Sequence, residues 1–389
     1  MAAVAGTGSS MTYTDTNGYV SSTGLKVVDN KGKTVNDGFS ASAVAIGGTL
    51  NVEGKSRVTL QSSILDKGKI HIGKSSTVTT YDDVEVYGKK WNWTGYKIKD
   101  YYTGYTYHTL SSKDGAYNGY LQSDGVLNSH GIALVAGGTA VINKGTIKPF
   151  NNISIDMNDE NGNQVGSISP AVMAENQGNL KAVNTRFDGL VHGNNKSKFT
   201  LTNTNAKGLY LEDRSSASLK GGRVSAISGY DSREAINNSN NYSAFVFGNS
   251  SLTANATTFD NALSVDGKSS VRLDNSNVKK AIMITDGSSV TLNNGQAVLN
   301  GISVAGSEYE DKVQTDGTVA IGVGADSHLT LIGKANIQVR SANGNPAGIY
   351  DGGSISVAKE AILKSDGMIQ VDDQDDFMDV ADTHASGQF

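Results

Sequence analysis

A short phrase returns every 19 residues, and no other feature restricts the fold of this chain as strongly. Gly-Lys-Ser-Ser-Val-Arg-Leu at Gly267–Leu273 is answered by Gly-Ser-Ser-Val-Thr-Leu at Gly287–Leu292, so Val271 and Val290 lie 19 residues apart. Leu252 lies 19 before Val271, Phe199 lies 18 before Ala217, and Leu180 lies 19 before Phe199. Near the N-terminus, Gly54–Leu60 and Gly73–Val78 repeat the phrase, and Gly54 and Gly73 are again 19 apart. A fixed period of this kind marks stacked units, none of which buries its apolar face alone.

A second column follows the same register. Leu50/Val52, Ile70/Ile72, Leu209/Leu211, Leu263/Val265, Ile282/Ile284 and Ile302/Val304 are each apolar at i and i+2. Such alternation marks strands with one buried side, and the intervals between them are too short for helices. A coil of about 19–23 residues with two or three short strands, lacking the leucine-rich repeat's pattern, predicts an all-β chain folded as a right-handed, single-stranded parallel β-helix. Roughly 15 coils at about 4.8 Å each are expected, with loop insertions. The 46 Gly and only 3 Pro, with abundant Ser and Asn, suit the corners, because these residues tolerate bends and hydrogen-bond nearby backbone. Asn203 with Asn205, and Asn275 with Asn277, are expected to stack as ladders.

The 389 residues read as one elongated domain, with two stretches that break the period. Residues 87–120 hold both tryptophans and eight of the sixteen tyrosines. Residues 229–243 form a polar insert that widens the interval from Ala217 to Leu252 to 35. Segments that leave a regular scaffold are where function concentrates. In the first insert Lys89, Lys90, Trp91, Trp93, Tyr96, Lys97, Lys99, Tyr101, Tyr102, Tyr105, Tyr107 and His108 set amphipathic rings beside four lysines. Rings with polar tips bury area at low entropic cost and stack on sugars, while lysines meet sulfates and carboxylates; a hairpin folded back onto the body is the alternative. Outside it, Arg214, Lys220, Arg223, Arg233, Arg272, Lys279 and Lys280 recur at roughly coil spacing in places, and are expected to line one polar face or to be ordinary solvated surface.

Charge and composition exclude several classes of function. From Asp366 onward there are seven acids and no Lys or Arg, which leaves 33 basic against 31 acidic groups before it. The body is near neutral, with no basic stripe for nucleic acid, and residues 366–389 read as an acidic, solvated end rather than a calcium loop. Cysteine is absent, so thiol chemistry and cysteine-held metals are excluded. No His-x-x-x-His pair occurs, His192 reads as a partly buried, inward-facing residue, and neither metal nor cofactor is expected. Apolar runs are too short to span a membrane, and Met1–Ser10 has no signal-like n-region or h-region. Asp82-Asp83 and Asn128–Gly131 faintly suggest polygalacturonase elements, but Gly-His-Gly and Arg-Ile-Lys are missing, and no Pro follows Arg as in pectate lyases. No enzyme is expected.

The phrases Ser288–Asn294, Gly47–Val52 and Gly137–Ile142, in a chain without cysteine, resemble the passenger domains of autotransporters of the AIDA-I and pertactin-like type, and among them adhesins of the UpaB kind. The likeness covers nearly the whole chain as repeat grammar, without a compact motif. It implies an extracellular, bacterial cell-surface adhesin that meets host glycosaminoglycans or other extended polysaccharide and a matrix protein such as fibronectin. The family's C-terminal membrane barrel and its serine-protease branch's Gly-Asp-Ser-Gly are absent from this sequence. Self-association leading to aggregation and biofilm is the alternative, and a polysaccharide lyase or hydrolase the second alternative.

Overall fold

The computed structural model describes residues 3–5, 10–20, 41–88, 119–151, 153, 155–158, 164–226, 242–303, 318–340, 347–367 and 369–371. Among these there is no helix, and nearly every strand pairs in parallel with the strand one coil away. The chain divides into two compact units, Met1–Asn158 with Ser167–Thr204, and Asp159–Gly166 with Asn205–Phe389. Both are parallel β-helices with three walls per coil.

One coil of the second unit shows the plan. Ala262–Val265 lies in the first wall, Ser270–Asp274 in the second and Asn277–Lys279 in the third, and Ile282–Ile284 then returns to the first. The expected 19-residue stack is present. Ala217, Leu252, Val271, Val290, Leu329 and Ile355 lie in register through the second wall, all buried. In the first unit Leu180 lies opposite Phe199, and Leu50 and Val52 lie opposite Ile70 and Ile72. Each such side chain removed from water contributes about 1.5–3 kcal/mol, so the lumen is the main source of stability.

Ile302 departs from its expected place. The strand in register with Ile282 and Ile284 carries Ile321 and Val323, whereas Ile302–Ser303 pairs antiparallel with Val319 and Thr318. Val304 lies outside the described residues. The apolar i, i+2 pattern is the same for a strand running either way, so alternation alone does not separate a coil from a return.

Corner serines bond their own turns as expected, Ser56 Oγ donating to the Glu53 carbonyl and Ser197 Oγ to the Asn194 carbonyl, each at 2.6 Å. They also bond the neighbouring coil: Ser215, Ser250, Ser269 and Ser288 each donate their N–H to the hydroxyl of Ser250, Ser269, Ser288 and Ser327 respectively, at 3.1–3.3 Å. All five are buried. The hydroxyls of Ser250, Ser269, Ser288 and Ser327 therefore each satisfy a backbone donor that the turn would otherwise leave unpaired in a dry interior. At the corner between the second and third walls, Asn184, Asn203, Asn275 and Asn294 have φ of 49°, 50°, 49° and 55°. Asn tolerates this left-handed backbone better than other side chains. The amide ladder runs Asn275 to Asn255 at 3.4 Å and Asn293 to Asp274 at 2.8 Å, while Asn277 stands exposed on the third wall.

The first wall is buried on both sides. Ile132–Val135, Pro170–Glu175, Tyr242–Val246 and Ala262–Val265 contain only buried residues. His192 is in register with Met173, in the column that also holds Leu65, Glu85 and Ala133. Ile132 and Leu134 flank that column and point to the lumen, so His192 is buried on the outer side of the wall and not inward as expected.

Candidate functional site

Lys89, Lys90, Trp91, Trp93, Tyr96, Lys97, Lys99, Tyr101, Tyr105 and Arg233 lie outside the described residues, as do most of the two inserts and the acidic end beyond Val371. Six of the seven basic residues singled out beyond the aromatic insert are placed, Arg214, Lys220, Arg223, Arg272, Lys279 and Lys280. Arg214 sits in the left-handed turn between the first and second walls, 3.8 Å from Asp213. Lys280, with φ of 76°, turns the chain from the third wall to the first. Neither joins a cluster among the described residues.

Arg272 and Lys279 do. They stand on the two walls that meet at the Asn275 corner of the second unit. Arg272 and Asp274 leave the second wall on the same side, two residues apart, and the guanidinium meets the carboxylate at 2.9 and 3.0 Å. Asn293, one coil on, donates to Asp274 Oδ1 at 2.8 Å. On the third wall, Asp260 is held by Lys279 of the following coil at 2.8 Å and by Arg223 of the preceding coil at 3.2 Å. Arg223, like Lys220, belongs to the basic set read from the sequence. The carboxylates were not anticipated, although Asp260 precedes Lys279 by one 19-residue period.

The depth of the partners matters more than the pairing. The side chains of Arg223, Arg272 and Lys279 are 57%, 48% and 51% exposed, against 17% and 21% for Asp260 and Asp274. The acids are recessed and hold the bases by their sides, so the cationic groups project. Burial pushes the Asp274 carboxyl up, but the hydrogen bonds of Asn293 and Arg272 and the Arg272 charge outweigh it, and the group stays below the usual carboxylate range. Exposed pairs of this kind add only about 0–1 kcal/mol each to stability. Their effect is to order long side chains that would otherwise be mobile.

A different polar group lies on the outer side of the first wall in the first unit. Asp83, Glu85 and Tyr87 alternate along one stretch of chain; Tyr87 donates its hydroxyl to Glu85 Oε2 at 2.5 Å, and Lys67 Nζ lies 5.2 Å from the Tyr87 ring centre. Lys67 and Glu85 are buried. Burial, with the Asp83 charge, pushes Glu85 up to about 8, against the opposing Tyr87 hydrogen bond and Lys67 charge. Burial likewise raises Asp83 to about 6 and lowers Lys67 to about 8. At neutral pH Glu85 is therefore mainly protonated and Asp83 mainly ionised. Charges in the dry interior are costly, and protonation relieves that cost. Sequence alternation shows the side these residues share, but not that the side is covered.

Among the described residues no three His, Asp or Glu side chains converge as a metal site would require. Among the described residues no helix is long and apolar enough to cross a membrane. No protein-family model, curated protein or solved structure matches the chain, and the features above rest on its own residues.

Proposed function

We propose that this chain is a bacterial cell-surface adhesin that holds an extended anionic polymer of the host matrix, such as a glycosaminoglycan, against the edge formed by Arg223, Arg272 and Lys279. The observation that carries the reading is the projection of three ordered cations over recessed carboxylates within three coils. A linear sulfated or uronate chain presents anions at short, regular intervals, and repeated coils present cations at multiples of about 4.8 Å. Each contact is weak and screened, and several acting together provide retention. The aromatic and basic insert at residues 87–120 is the second proposed contact, on its composition, and fibronectin is the proposed protein partner on the autotransporter resemblance. Display outside the cell follows from the same resemblance.

Binding of the intact chain to immobilised heparan sulfate, hyaluronan and fibronectin at low and high salt tests this. The Arg272→Ala/Lys279→Ala double variant is expected to lose most of the salt-sensitive binding to sulfated chains, and deletion of residues 89–107 to lose a separate part. Undiminished binding by both variants overturns the assignment of the site. Absence of binding together with concentration-dependent dimers in sedimentation moves the reading to self-association.

A further inference from the structure

The second wall of the first unit carries a polar network that the cationic edge does not use. Tyr120, Gln122 and Asp124 leave one strand and its end on the same side. Tyr120 donates its hydroxyl to Gln122 Oε1 at 3.0 Å, and Gln122 Nε2 donates to Asp124 Oδ1 at 2.5 Å. Asn143 of the following coil donates to the same Oδ1 at 2.8 Å, and His71 Nε2 of the preceding coil lies 3.3 Å from Oδ2. Residues two apart on a strand are separated by about 6.7 Å. For the tyrosine hydroxyl to reach Gln122, its ring has to lie along the strand and not stand off the wall. Tyr120 is 39% exposed. Among the described residues, those in register on the following coil, Thr139 and Val141, are short, and Lys69 stands in register with Tyr120 on the preceding coil.

We infer that Tyr120 with Gln122, Asp124, Asn143 and His71 forms a subsite for a neutral pyranose. A pyranose has an apolar face of C–H groups and an edge of hydroxyls, and the site offers a ring face beside hydrogen-bonding groups that are already ordered. A carboxylate accepts about four hydrogen bonds. Three positions on Asp124 are engaged, which leaves one on Oδ2 for a sugar hydroxyl. Gln122 and Asn143 each keep a second amide hydrogen for a sugar oxygen. The hydrogen bond from Gln122, with those from His71 and Asn143, holds the Asp124 carboxyl below its usual range, so it remains an acceptor under mildly acidic conditions. The ligand differs from the anionic polymer proposed for the second unit, because ring stacking and neutral hydrogen bonds do not depend on charge neutralisation.

Saturation-transfer NMR on the intact chain with the methyl glycosides of glucose, galactose, mannose and N-acetylglucosamine tests the subsite. Transfer to at least one glycoside is expected, strongest at the ring C–H protons, unchanged between low and high salt and unchanged in Arg272→Ala/Lys279→Ala. It is expected to vanish in Tyr120→Ala and to fall severalfold in Asp124→Asn, both at half-exposed positions, with strand content checked by circular dichroism. Absence of transfer for all four glycosides, or transfer that survives both substitutions, overturns the inference. Because the double variant in the second unit is an arm of the same experiment, failure of this subsite and failure of the cationic edge read out separately.

Discussion

Asp66 lies in the lumen of the first unit, fully buried, in register with Val86 of the next coil. Its Oδ1 accepts the Gly68 N–H at 3.0 Å and the carboxyl also accepts from the Tyr120 backbone, but Oδ2 has no hydrogen-bond partner. Burial raises its pKa from 3.8 to about 7 despite those two bonds. The folded state thus retains a proton between about pH 4 and 7 that the unfolded chain has released. The Asp66 contribution to stability is full below the unfolded value, falls as pH rises through that window, and is lost above the folded value. A shift of about three units at roughly 1.36 kcal/mol each corresponds to about 4 kcal/mol. Asp66→Asn keeps an oxygen for Gly68 and Tyr120 and carries no charge. At pH 8 it is expected to slow native-state hydrogen exchange in residues 63–72 by up to about 1000-fold. Near pH 4 it should leave exchange almost unchanged, and residues 262–274 in the second unit serve as the internal control. A variant that exchanges faster than the parent at pH 8, or a difference independent of pH, refutes the reasoning.

Ser269→Ala removes the acceptor of the buried Ser250 N–H, bonded at 3.1 Å, and is expected to cost about 1–3 kcal/mol in urea denaturation; the exposed neighbour Ser270→Ala should stay within about 0.5 kcal/mol, and equal effects would show that the hydroxyl ladder is incidental. Gly145→Ala places a Cβ 1.8 Å from the Leu127 carbonyl oxygen, so a loss of about 1–3 kcal/mol is expected, and an unchanged denaturation midpoint would contradict the coil spacing there. Glu85→Gln should stabilise the first unit above pH 8, where the native carboxyl is ionised, and change little near pH 5, read from the pH dependence of the midpoint.

The lumen columns were legible because burial on a strand has a period of two and each coil repeats the last, so Leu252, Val271 and Val290 announce their own register. The basic residues of the edge were legible as candidates, since Lys220, Arg223, Arg272 and Lys279 recur near coil spacing. Their arrangement was not. Asp260 is recessed between cations 37 residues before it and 19 after it, a relation set by stacking and not by neighbours in the chain.

By itself, then, the amino-acid order determined the architecture and the lining of the lumen, because alternation and periodicity are local properties that the backbone translates directly into side-chain direction. Only the tertiary structure decided that Ile302 runs against its neighbour, that Ser250, Ser269 and Ser288 bond from coil to coil, and that Glu85 and His192 are covered although they face away from the lumen. Strand polarity, contacts across coils and the covering of an outward face all depend on which distant segments come to lie against one another, and no local pattern of hydrophobicity encodes that.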